Sequence, residues 1–374
     1  MRNKIQSLSY VFLALLIFFN VSILFAENSV KEPPILNVYH WFQMIPEDVL
    51  KIFEQETGIR VNLDVYDSND VLEARLLAGK TGYDVVGPSA FPYLARQVPA
   101  GLYKPLDKDK LPNMKGLDPT ILEKLATSDP DNKYALPLLW GLVGLGVNRE
   151  KLEERLGKDT PLDSWSLLLD KDKMTKISSC GVTLLEEAAD IFLPIYLYLG
   201  LPHDSNKRED LEKVTATLMD VRPYISRLDS VRSADDLMLG NVCMAMHWIG
   251  DLYLAKQALS EQKNMDHIEI FIPKEGSVMW IDSVAIPVDA PHPDNAHRFL
   301  NFLIRPDIMA RLTNKTYFAN PVSESLSFVK PDIRQNKNIF PDAENMKRIF
   351  INVPAPASFA RQVNRAMMKV RTGR

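Results

Sequence analysis

Two of the five tryptophans are followed, through an isoleucine, by an aspartate two or three residues on: Trp248-Ile-Gly-Asp251 and Trp280-Ile-Asp282. A third, Trp41, directly follows an apolar run that reads as a strand. An indole face beside a carboxylate suits an alkylammonium. The acid offers a charge-assisted hydrogen bond. The ring offers a cation–π contact of about 0.5–2 kcal/mol and covers methylenes worth about 0.8 kcal/mol each. The same pattern also fits core tryptophans beside solvated acids.

Other chemistry has little footing. The six histidines show no metal-ligand spacing, and His292 and His297, around Pro-Asp-Asn, are expected at the surface. No G-x-S-x-G elbow or dinucleotide fingerprint occurs, and the glycines at 141, 144 and 146 are not followed by the Lys-Ser or Lys-Thr of a phosphate loop. No catalytic residue, cofactor or metal is therefore expected.

The elements that must position these residues follow from periodicity. A strand is expected over 35–40. A helix should open at Pro46, bury Val49, Leu50 and Phe53, and stop at Gly58. Residues 59–65 alternate Ile59, Val61, Leu63 and Val65 against Arg60, Asn62 and Asp64, which predicts a strand. Ser68 or Asn69 can cap the next helix, with Val71, Leu72, Arg75 and Leu76 on its inner face, and residues 83–86 form a third strand. Alternating strand and helix imply a parallel sheet covered on both faces. Residues 134–148 read as extended chain, 242–246 and 281–288 as strands, and 295–314 as a helix that Pro306 should split. On this reading Trp41, Ser89 and Asp251 fall just past strand ends, where open α/β sheets bind ligands. The basic stretch 361–374 reads as a solvated final helix.

The first 26 residues carry Arg2 and Lys4, then an uncharged apolar run from Leu8 to Phe25, ending at Ala26. That is the layout of a signal peptide cut after Ala26, although an uncleaved anchor has the same composition. Export would leave a chain too long for one core, so two lobes are expected. It would also take the net charge from −4 to −6 by removing Arg2 and Lys4, which argues against nucleic acid and suits a cationic ligand. In an oxidising compartment Cys180 and Cys243 are expected to bridge, closing a loop of roughly 64 residues worth about 4 kcal/mol; two buried thiols are the alternative.

The stretches Tyr-His-Trp (39–41), Glu-Thr-Gly-Ile (56–59), Asp-Ser-Asn-Asp-Val-Leu-Glu (67–73), Pro-Ser-Ala (88–90), Lys-Pro-Leu-Asp-Lys (104–108), Asp-Pro-Asp-Asn-Lys-Tyr-Ala (129–135), Ser-Cys-Gly-Val (179–182) and Ile-Pro-Lys-Glu-Gly (272–276) resemble the periplasmic binding proteins of polyamine ABC transporters, putrescine-type members above all. The resemblance covers 36–374. It implies an α/β, two-lobed type II periplasmic-binding fold with a ligand cleft between lobes. Lobe 1 would comprise 35–142 and 281–322, and lobe 2 143–280 and 323–374. It implies a monomer that takes a small polyamine without turnover and hands it to a membrane permease; a periplasmic sensor of the same amine is the alternative role. Ligand contacts carry over to Trp41, Ser89, Asp190, Trp248, Asp251, Trp280, Asp282 and Phe318. Asp251 and Asp282 would hold one ammonium and Asp190 the other. The resemblance also implies a Cys180–Cys243 disulfide. Departures lie at Phe42 and Gln43, where the family has a hydroxyl residue and an acid; at Asp190, where Glu is usual; and at Phe318, where a Tyr is expected and Tyr317 is adjacent.

Overall fold

The computed structural model describes residues 32–260 and 262–374, and residues 34–374 pack as one compact unit. The expected signal segment, 1–26, lies outside the described residues. Ten strands among the described residues form one mixed sheet: β1 (Ile35–Trp41), β2 (Arg60–Tyr66), β3 (Val85–Val86), β4 (Ala135–Asn148), β5 (Val182–Leu184), β6 (Arg227–Leu228), β7 (Met244–Trp248), β8 (Ile268–Phe271), β9 (Ser277–Ala285) and β10 (Ile349–Ile351). The helices that bear on the site are α1 (Glu47–Thr57), α2 (Asn69–Ala78), α3 (Ala188–Tyr198), α4 (Arg208–Val221), α5 (Ile249–Ser260), α6 (Pro293–Leu303), α7 (Pro306–Thr316) and α8 (Ala357–Thr372).

Local chemistry sets many of the boundaries. Pro46 precedes α1 with extended backbone, and Gly58 closes it at φ 71°, its N–H donating to Glu54 O. Ser68 caps α2 by accepting from the Asp70 N–H. Pro306 begins α7 and separates it from α6, as its missing N–H requires.

The strand order is β2-β1-β3-β9-β4-β7-β5-β6, with β8 against β4 and β10 against β9. The all-parallel expectation fails at the centre. β1 runs parallel to β2 and β3, and β5 runs parallel to β6 and β7, but β9 is antiparallel to β3 and β4, and β4 to β7. The reason is that β4 and β9 are long strands joining the two halves. Residues 135–142 of β4 pair with β9, and residues 143–148 pair with β7 and β8. Their sequences offer periodicity but no direction.

Apolar cores flank this change of partner. One gathers Leu36, Val38 and Phe53 with Leu136, Val284 and Phe299. Another gathers Val143, Leu145 and Val147 with Trp165, Ile191 and Met244. Trp248 packs against both. The Cys180–Cys243 disulfide is formed, with a Cα–Cα distance of 5.5 Å, beside the start of β5 and β7.

Three side-chain expectations need correction. His297 is buried, not superficial: the chain after Pro293 is helical, and its ring accepts from Asp107 N at 2.9 Å and meets Pro293 O at 2.7 Å. His292 is half-buried against Asp84, its Nδ1 3.0 Å from Oδ2. Val71 is 49% exposed because α2 turns Asn69, Leu72 and Leu76 inward instead.

Candidate functional site: a cluster of carboxylates and indoles

One corner is built where β1, β3 and β9 come side by side. Ser89 follows β3 and pairs as an antiparallel bridge with Asp282, inside β9. Its hydroxyl donates to Asp282 Oδ1 at 2.5 Å. Asn69, buried at the start of α2, holds Ser89 at both ends: Nδ2 donates to Oγ at 3.0 Å, and Oδ1 accepts from the Ser89 N–H at 3.2 Å. Trp41, the last residue of β1, leans on Tyr66 with ring centroids 4.8 Å apart. The Tyr66 hydroxyl is fixed in turn by Gly87 O. Burial pushes the Asp282 carboxyl up to about 7, opposed by Ser89 and by the Trp41 indole, which favours the anion without reaching hydrogen-bond geometry.

The second corner joins α3 to β7. Asp190 is buried in the first turn of α3, and Trp248 ends β7; Trp248 Nε1 donates to Asp190 Oδ2 at 2.9 Å. Burial, then the charge of Glu187, push Asp190 up to about 7. The Trp248 hydrogen bond opposes this, and the charge of Asp282 adds to it. The two corners are joined through the packing of α3 against β9.

Aromatic rings line the third side. Trp280, in β9, meets Phe318 edge to face at 4.6 Å. Two glycines make room for them. A Cβ on Gly141, paired with Trp280 across β4 and β9, would lie 2.5 Å from the Trp280 ring. A Cβ on Gly250 would lie 2.2 Å from the Phe318 ring. Asp251, in the first turn of α5, has His247 Nδ1 at 3.7 Å. Burial holds that imidazole neutral, at about 4. Burial, then Asp235, push Asp251 up to about 7, but its side chain is 32% exposed, and water there moderates the effect. Among the described residues no hydrogen bond links Asp251 to Asp282. Phe42 is 63% exposed, and Gln43, also exposed, sits in the left-handed region at φ 58°.

The expected residues thus fall into groups. Trp41, Ser89 and Asp282 meet; Asp190 and Trp248 meet; Trp280 and Phe318 meet, with α5 and Asp251 alongside. Phe42 and Gln43 stay at the rim. Asn69, Tyr66, Gly141, Gly250 and His247 were not expected in the site. Gly250 lies inside the Trp-Ile-Gly-Asp stretch, which is the one sequence signal available. The partners of the others depend on strand register.

Asp190 and Asp282, both buried, and the half-buried Asp251 differ from the protein's other buried carboxylates. Asp84 accepts from two backbone N–H groups and faces the His292 ring. Asp129 is also pushed up by burial, but there the Tyr134 and Ala135 amides donate to it and oppose the push. Asp229 is opposed by burial, yet the Arg232 and Val231 amides and the Arg227 guanidinium hold it at about 2. By contrast Asp190 and Asp282 each accept one side-chain hydrogen bond, from neutral groups, and none of the three has a Lys or Arg partner among the described residues. Buried carboxylates raised by desolvation mark a site awaiting positive charge. No group of three or more His, Cys, Asp or Glu is placed to hold a metal ion among the described residues. Two buried acids, each held by an indole or a hydroxyl, and a pair of edge-to-face rings make up the chemistry of the cluster.

The comparisons agree with this architecture. Residues 48–341 match the family described as bacterial extracellular solute-binding protein. The chain is 40% identical over 340 residues to the putrescine-binding periplasmic protein SpuD of Pseudomonas aeruginosa, covering 91% of this chain and 92% of that protein. It is 39% identical over 344 residues to the putrescine-binding periplasmic protein PotF of Escherichia coli, covering 92% and 93%. A solved structure of a spermidine/putrescine ABC transporter protein from Listeria monocytogenes superposes with a TM-score of 0.78 at 26% identity, covering 91% of this chain and all of that one. The fold is that of the type II periplasmic binding proteins, two α/β lobes about a ligand cleft, and the chain belongs to the bacterial extracellular solute-binding protein family.

Proposed function

We propose that this chain is the periplasmic receptor of a polyamine ABC transporter, binding a diamine such as putrescine and delivering it to a membrane permease without turnover. The observation that carries this reading is the pair Asp190 and Asp282, buried without a basic partner and each tied to an indole or hydroxyl. One ammonium sits at Asp282 with Ser89 and Trp41. The other sits at Asp190 beside Trp248. Trp280 and Phe318 cover the methylenes between them, and Asp251 adds negative potential from α5. Gln43, uncharged, offers no third anchor, so a diamine is favoured over a triamine. We assign 35–142 and 281–322 to one lobe and 143–280 and 323–374 to the other; the exchange of partners along β4 between Leu142 and Val143 supports that boundary.

The test is titration calorimetry of protein refolded to strip carried ligand, against putrescine, cadaverine, agmatine, spermidine and spermine. Saturable binding of a diamine, with spermine weaker, is expected. No heat with any of them from folded protein overturns the reading.

A further inference from the structure

The final helix, α8, carries a separate feature. From Asn352 to Arg374 the chain holds five basic residues, Arg361, Arg365, Lys369, Arg371 and Arg374, and no acid. At 3.6 residues per turn, Phe359, Ala366, Met367 and Val370 fall on one side of the helix and are buried. The other side presents Arg361, Arg365, Lys369 and Arg371, all exposed, around Met368 at 55% exposure. None of the five basic side chains takes part in an ion pair among the described residues; Arg371 spends one N–H on Glu186 O. Nor do the acids of neighbouring α4 neutralise the face. Glu212 pairs with Arg208, whose charge Glu209 also meets, Asp220 pairs with Lys171, and Asp210 with Ser205 and Lys213.

We propose that this face of α8 docks the protein on an anionic lipid surface. A row of cations of one sign, on long side chains around one exposed methionine, suits a bilayer with acidic headgroups: the charges need no one-to-one partners and the thioether can enter the interface. A protein partner would have to present matched acids in fixed positions. The remainder of the chain is acidic, since the whole carries −4 with these five cations included. An anionic membrane therefore repels the remainder of the chain on net charge and favours approach through α8. A receptor held this way searches for its permease along a surface instead of through a volume. The proposal is independent of the ligand.

The experiment is sedimentation of the chain from residue 32 onward, which retains the whole compact unit and omits the apolar N-terminal run, with vesicles of phosphatidylcholine containing 30 mol% phosphatidylglycerol, at low and at physiological salt. The expected result is binding to these vesicles, none to pure phosphatidylcholine, and weakening as salt shortens the screening length. The triple variant Arg361→Gln/Arg365→Gln/Lys369→Gln should partition on the order of a hundredfold more weakly, from about 1 kcal/mol for each basic residue. Lys207→Gln/Lys263→Gln/Lys337→Gln, three exposed lysines elsewhere, should bind as the parent does. Absence of parental binding, or equal losses in the two triple variants, overturns the proposal. Binding only to vesicles of neutral lipid that contain the permease, lost in the α8 variant, also overturns it and makes α8 a protein-docking face.

Discussion

Replacing Asp282 by Asn should move stability and binding in opposite directions. The carboxyl is 6% exposed and accepts from Ser89 without a cation nearby. Burial holds it at about 7 instead of 3.8. At 1.36 kcal/mol for each tenfold change in proton affinity, keeping it ionised in the empty protein costs at most about 4 kcal/mol. The sign follows from linkage. Below about pH 4 the carboxyl is protonated in both the folded and unfolded chains, and the cost is absent. It grows as pH rises towards 7 and is constant above. Asn keeps an acceptor for Ser89 and removes the charge. Asp282→Asn should therefore unfold at higher denaturant than the parent at pH 8 and at nearly equal denaturant at pH 4, both free of ligand. The same change should weaken diamine binding by about 2–5 kcal/mol, or roughly 30- to 5,000-fold. Urea unfolding at the two pH values, beside calorimetry, reads both effects. A variant that is less stable at pH 8 and binds diamine as well as the parent would refute the assignment, making Asp282 a structural carboxylate like Asp229.

Diamine affinity of the parent should rise from pH 6 to pH 8, because Asp190 and Asp282, at about 7 when empty, must lose protons to meet two ammoniums; calorimetry in buffers of different ionisation enthalpy should show proton release, and a flat profile without release would contradict it. Gly250→Ala puts a Cβ 2.2 Å from the Phe318 ring and 2.9 Å from Tyr317 O, and should cost about 1–3 kcal/mol of stability together with diamine affinity. Gly116→Ala, with nothing within 4 Å, is the control, and equal effects would discount the contact. Gln43→Asp should strengthen binding of a triamine more than of putrescine; loss of both would mean the rim is shaped around Phe42. Cys180→Ser/Cys243→Ser opens a loop spanning 63 positions and should cost about 4 kcal/mol in denaturant unfolding, with an unchanged midpoint counting against the entropic account.

Much of the first half of the fold was legible because local signals act alone there. The proline before α1, Gly58 after it, the Ser68 cap and the split at Pro306 each follow from backbone chemistry within a few residues. Strand direction at the sheet centre was not legible. Residues 135–148 are buried at every position, so neither face nor polarity can be read from alternation, and antiparallel pairing with β9 and β7 depends on contacts more than 90 residues away. His297 was misread for a related reason. A Pro-Asp-Asn run serves as a turn or as a first helical turn, and only the Asp107 N–H that its ring accepts, 190 positions away, decides that it is buried.

The site was legible as residue types and illegible as a circuit. Tryptophan beside aspartate singled out Trp248, Asp251, Trp280 and Asp282, yet the hydrogen bonds run to residues distant in sequence. Trp248 donates to Asp190, 58 positions away, and Asp282 is served by Ser89, 193 positions away. What separates a binding carboxylate from a structural one is the charge missing around it. Asp229 sits among two arginines and two amides, and Asp190 meets one indole, though both are buried aspartates near a helix start. No single-residue property records that difference. It exists only once the fold has brought Ser89 to Asp282 and Trp248 to Asp190 and left both carboxylates buried with no lysine or arginine partner among the described residues. On the proposed function, a ligand carrying two positive charges completes that arrangement, and a neutral or anionic one would leave both acids uncompensated.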